Sequence, residues 1–120
     1  MVKLGGVPAV VVFSDNPPLL AAWYREVFDL DLLVSQEGFF GLHAGQATLF
    51  IQQTGEGHRP GQGGIRPHFL VADCTDAFEQ LCAAGARVIL PVTDLGRELV
   101  AAVQDPEGNP IGLIQPVGSA

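Results

Sequence analysis

One pattern limits the folds open to this chain more than any other: its order of elements occurs twice. Val10-Val11-Val12-Phe13 is a β-branched run that ends at Ser14-Asp15-Asn16-Pro17-Pro18. Ser, Asp or Asn can cap a helix there, and proline is tolerated in the first turn. Leu19, Leu20, Trp23, Val27 and Phe28 then recur at helical spacing. Strands are predicted from Asp31 to Ser35, Phe39 to His43 and Thr48 to Gln53, with Ala44-Gly45-Gln46 as a hairpin turn. After the glycine-rich stretch TGEGHRPGQGG, residues 54–64, the same order returns. A strand over Ile65–Ala72 leads to Asp73 and Thr75, both capping candidates. A helix follows from about Asp76 to Ala84, with Phe78 and Leu81 inward and Gly85 as its stop. Strands over Arg87–Leu90, Glu98–Gln104 and Ile111–Gln115 complete the second half, with Asp105-Pro106-Glu107-Gly108-Asn109 as a tight turn. At an offset of 58, Asp15 falls on Asp73; at 62, Leu49-Phe50-Ile51-Gln52 falls on Ile111-Gly112-Leu113-Ile114. The expected fold is α+β: two βαβββ modules forming a curved mixed sheet with helices behind it and a cup-shaped pocket. Module one covers about 7–53, the connector 54–64 and module two 65–116, within a single domain.

Composition narrows the function. With 120 residues and 48 % hydrophobic content, the chain can bury a core without staples. Thirteen acids against six bases give a formal charge of −7, which argues against nucleic acid and an anionic membrane surface. It permits a neutral or cationic small molecule. No run of about 20 apolar residues occurs, and Met1-Val2-Lys3-Leu4 does not read as a signal peptide. Cys74 and Cys82 lie in or beside one helix, too far apart to bridge. They read as reduced thiols of a cytoplasmic protein.

The order and spacing of these motifs resemble the vicinal oxygen chelate superfamily of glyoxalases, extradiol dioxygenases, fosfomycin-resistance enzymes and bleomycin-resistance proteins. Ala22-Trp23-Tyr24-Arg25-Glu26-Val27-Phe28-Asp29-Leu30 is similar to that family's helix ending "FYRDVLGL". Residues 78–88, FEQLCAAGARV, are similar to its second helix and following strand. Asp105-Pro106-Glu107-Gly108-Asn109 is similar to its "DPDGN" turn. The resemblance implies four metal-ligand positions, two at the starts of the modules' first strands and two on their last strands. They map to Pro8, Arg66, Phe50 and Gly112. None suits a divalent ion, because Pro, Phe and Gly side chains offer no lone pair and Arg is a permanent cation. Slipping a strand by one residue offers Val7 or Ala9, Ile65 or Pro67, Leu49 or Ile51, and Ile111 or Leu113, none of which restores a ligand. No metal or other cofactor is therefore expected.

Alternation along the strands then places Pro8, Val10 and Val12, Thr48, Phe50 and Gln52, Arg66, His68 and Leu70, and Pro110, Gly112 and Ile114 on the cavity side. Val10, Val12, Thr48, Phe50, Gln52, Arg66, His68 and Gly112 are the candidate ligand-binding residues. Phe50 is either a stacking platform or cavity filler. Arg66 binds an anionic group, pairs with an acid such as Glu98, or points to the rim. His68 is a general base, a hydrogen-bond donor or a locally satisfied side chain. His43 and His58 read as surface residues and Trp23 as core. Of Phe39 and Phe40, one should face the pocket. The early proline and absent metal set resemble the bleomycin-resistance members. That likeness implies a homodimer that sequesters a hydrophobic or cationic aromatic ligand, with Gly5-Gly6 as a hinge for an exchanged N-terminal arm. Two alternatives stay open. One is a metal-independent isomerase or lyase using His68 and Arg66; the other is a metalloenzyme with ligands relocated to His43, His68, Glu98 or Glu37.

Overall fold

A computed structural model describes residues 1–55, 59–62 and 64–117. The chain divides into two compact units, Met1–Arg59 and Pro60–Ala120. His58, expected at the surface, lies outside the described residues.

In the first unit, β1 (Ala9–Ser14) precedes α1 (Pro17–Phe28), followed by β2 (Asp31–Gln36), β3 (Phe39–Ala44) and β4 (Ala47–Gln53). The sheet order is β1-β4-β3-β2, with β1 parallel to β4 and the other pairs antiparallel. Helix α1 begins where the Asn16 side chain accepts from the Leu19 amide at 3.5 Å, with Pro17 and Pro18 in its first turn. It ends at Asp29, whose left-handed φ of 55° closes the helix through its amide to the Arg25 carbonyl. Leu20, Ala21 and Tyr24 bury one helix stripe, and Val12, Leu42, Leu49 and Ile51 are the buried sheet residues beneath it. Trp23 meets Tyr24 edge-on at 5.0 Å and is half-buried, so it borders this core without sitting at its centre.

The second unit repeats the plan: β5 (His68–Leu70), α2 (Cys74–Ala83), β6 (Arg87–Asp94), β7 (Glu98–Gln104) and β8 (Pro110–Pro116), in the sheet order β5-β8-β7-β6. Again the unit's first and last strands pair in parallel. Strand β5 is shorter than the expected 65–72 span. Proline lacks an amide proton, so Pro67 contributes only its carbonyl, to the Gly112 amide at 2.7 Å. Strand β6 runs past the expected Leu90 and carries Pro91, which an edge strand with register shifts accommodates. Asp73, rather than Thr75, caps α2, accepting from the Asp76 amide at 3.0 Å. The core is Cys74, Leu81, Ala101, Val103, Ile111 and Leu113.

The turn at 105–109 is a hydrogen-bonded knot. Asp105, 2 % exposed, accepts from the amides of Glu107 and Asn109 and from the Asn109 side chain. Asn109 Oδ1 in turn accepts from the Gly61 amide at 2.8 Å, fixing the described part of the connector to the β7–β8 turn.

Candidate functional site

Each sheet has one face packed on its helix and one turned away from it. The pairing register assigns residues to these faces, since partners across a ladder share a side. In the first unit, Val11, Phe50 and Gly41 form one row turned away from α1, and Phe13, Gln52 and Phe39 form the next. Thr48 and His43 belong to the same face. Val10 and Val12 pair with Leu49 and Ile51 and lie on the helix side.

That corrects one expectation. Val10 and Val12 do not share a face with Phe50; Val11 and Phe13 do. Val12 is 6 % exposed and Val11 44 %. The expected register counted back from Asp15, whereas the residue that caps α1 is Asn16. An origin one residue later flips every side chain of a period-two strand. Seven residues before Asn16 stands Ala9, which has no donor either. Pro8 remains outside β1 and offers its carbonyl to the Thr48 amide at 2.8 Å.

Phe50 stacks on Phe39, with ring centroids 5.0 Å apart and planes 17° from parallel. Of the consecutive phenylalanines, Phe39 is therefore the one turned away from the helix. The Phe50 ring lies against Gly41, where an added Cβ would meet Cε1 at 3.0 Å and Val34 Cβ at 3.3 Å. A side chain at position 41 would lift the ring. Sequence reasoning did not single out Gly41, although a glycine inside a strand of large residues marks a close approach.

The second unit uses a related arrangement. His68 is paired with Gly112, and a Cβ at Gly112 would overlap the imidazole, with Nδ1 and Cε1 at 2.5 Å. Only glycine permits this seat. Arg66 Nε–H donates to His68 Nε2 at 3.3 Å. An N–H requires a lone pair, so Nε2 is the bare nitrogen and Nδ1 carries the ring proton. Partial burial first, and the Arg66 charge second, lower the His68 pKa below the ordinary 6.5, while Glu98 opposes them. His68 is thus a neutral imidazole at neutral pH. Leu70, Ile114, Val100 and Glu98 occupy the same sheet face, by alternation from the His68–Gly112–Ala102 row. The structure brings Arg66, His68 and Gly112 together in this unit, and Thr48, Phe50 and Gln52 onto one face in the other.

These residues do not make a site for a divalent ion. The positions that the family resemblance assigns to ligands hold a stacked phenyl ring, a glycine covered by imidazole, a guanidinium and a proline. The imidazole of His68, in the second unit, has its lone pair engaged by Arg66. Among the described residues, no three His, Cys, Asp or Glu side chains converge, so His43, His68, Glu98 and Glu37 form no such cluster. Cys74 opens α2, where the helix dipole lowers a thiol pKa. Burial chiefly, with Asp73 adding, pushes it up instead.

Fold and site together define a duplicated βαβββ protein of the glyoxalase type, in which the positions that the resemblance assigns to metal ligands carry no metal-donor side chain. The chain belongs to the glyoxalase-like domain family, whose model matches residues 9–114. Among solved structures it is similar to TioX from Micromonospora sp. ML1, at 23 % identity and a TM-score of 0.76, over 94 % of this chain and 100 % of that one. It is similar also to a glyoxalase/bleomycin resistance protein/dioxygenase family enzyme from Burkholderia phytofirmans PsJN, at 17 % identity and a TM-score of 0.78, over 91 % and 97 % of the two chains. A glyoxalase/bleomycin resistance protein/dioxygenase from Nocardioides aligns at 12 % identity and a TM-score of 0.74, covering 100 % of this chain and 89 % of that one. At these identities the structural likenesses establish the fold alone. A search of curated proteins returned no match.

Proposed function

We propose that this protein binds a flat organic small molecule, such as an antibiotic or an aromatic metabolite, without a metal ion, and sequesters it. The observation that carries this reading is what replaces a donor set: the Phe39–Phe50 stack seated against Gly41. An aromatic pair fixed by its neighbours offers a preorganised surface to a planar ligand. Val11 and Phe13 extend that surface with apolar area. A homodimer with an exchanged N-terminal arm is part of the proposal. The exposed Met1, Val2, Leu4 and Val7 would find cover on a second copy.

Calorimetric screening of planar aromatic compounds in the presence of a chelator tests the reading. Phe50→Ala should weaken binding by about 0.5–1.5 kcal/mol, two- to tenfold. Binding that requires added metal, or that is indifferent to Phe50→Ala, would overturn it.

The alternative is a metal-independent isomerase or lyase with His68 as acid or base and Arg66 stabilising an anion. The neutral His68 beside a cation favours it, because such a base is available at neutral pH. Its only lone pair, however, faces Arg66. Turnover of any bound compound that His68→Ala abolishes, with binding retained, would support the enzyme over the binding protein.

A further inference from the structure

We propose that the Arg66–His68–Gly112 arrangement is a receptor for the carboxylate of a small molecule, built within the second unit alone. This rests on the reading of the protein as a small-molecule binder and adds the chemical class of group that the second unit's sheet face takes.

Three observations support it. Arg66 makes no ion pair among the described residues, in a chain where acids outnumber bases 13 to 6. Among the described residues its side chain donates one hydrogen bond, to a neutral imidazole, which orients the guanidinium without pairing its charge. That bond uses Nε–H, so both terminal amino groups stay available as a parallel fork. This is the geometry that carboxylates match bidentately. Second, His68 accepts at Nε2, so the imidazole holds the Arg66 side chain through its Nε–H while its Nδ1 edge lies against Gly112. Third, Gly112 is what lets the imidazole lie across β8, since any Cβ there collides with the ring. A glycine is therefore spent on holding His68 where it orients Arg66.

The overall charge of −7 does not oppose a local anion site. Charges more than about 8 Å away are largely screened at physiological salt, and Arg66 is the near one. Glu98, on the same sheet face, is the local carboxylate that limits how many negative charges a ligand can bring. One carboxylate is therefore the expected load.

Benzoate, benzamide and benzamidine share one shape and differ in charge. Each is titrated into the wild-type protein and followed by the His68 ring signals in heteronuclear NMR. Benzoate should shift those signals and bind at least about tenfold more tightly than benzamide, with benzamidine weakest. Arg66→Gln should remove the benzoate preference, bringing benzoate affinity down to that of benzamide. Equal affinity for benzoate and benzamide would overturn the carboxylate receptor while leaving the binding reading intact. Tightest binding of benzamidine would do the same and point to Glu98. Failure of all three to perturb His68 at millimolar concentration would also overturn the receptor. The separate Phe50→Ala calorimetry would then decide whether a binder remains.

Discussion

At the residue scale, two glycines do what side chains cannot. Gly112 lies under His68 and Gly41 beside Phe50. Gly112→Ala should displace the imidazole from β8 and break its contact with Arg66. The obstructing atoms belong to a movable side chain, so the fold should persist. The expected result is a His68 pKa nearer the ordinary value by NMR titration, with the far-ultraviolet spectrum unchanged. The same histidine gives stability a pH dependence. Its folded-state pKa lies below the unfolded value of 6.5, so the unfolded chain binds the proton more readily. Stability is full above that value and declines as pH falls through it toward the folded pKa. Denaturant midpoints for wild type and His68→Gln should converge above neutrality and separate below it, with wild type losing more. Cys74, buried with a raised pKa, should react with a thiol reagent more slowly than the half-buried Cys82.

At the element scale, the helix ends and the 105–109 turn decide local stability. Asp29 adopts a left-handed backbone at the end of α1, where glycine carries no steric cost and an acid faces the negative helix terminus. Asp29→Gly should stabilise the protein by about 0.5–1 kcal/mol in urea denaturation. Asp105→Ala should destabilise it by about 2–4 kcal/mol, because the part-buried Glu107 amide and the buried Asn109 donors lose their acceptor. Element order was legible in the sequence because turn residues and period-two or helical stripes recur in both halves. The face of β1 was not, because Val10, Val11, Val12 and Phe13 form an unbroken apolar run with no polar residue to mark the outside. Only the choice between Asp15 and Asn16 as the cap sets the register, and both residues cap well. In β5 and β8 the expected sharing of a face by His68, Leu70, Gly112 and Ile114 agrees with the ladder. The Arg66 contact and the imidazole seat on Gly112 depend on side-chain conformation, which strand alternation does not specify.

For the whole molecule, the central matter is what a glyoxalase-like fold does when the positions that the resemblance assigns to ligands hold Phe50, Arg66 and Gly112, with Ala9 in place of Pro8 on the Phe50 face of β1. Each unit has its own helix-covered core and completes its own four-stranded sheet. No helix is long and apolar enough to cross a membrane among the described residues. Fold alone does not assign chemistry, so the donor set must decide. The most direct test is metal content after incubation with Mn, Fe, Co, Ni and Zn salts and exhaustive dialysis. No ion should be retained in stoichiometric amount, and aromatic-ligand binding should be unchanged by chelator. One tightly held ion per chain, lost on mutation of His68 or Glu98, would contradict the metal-free reading.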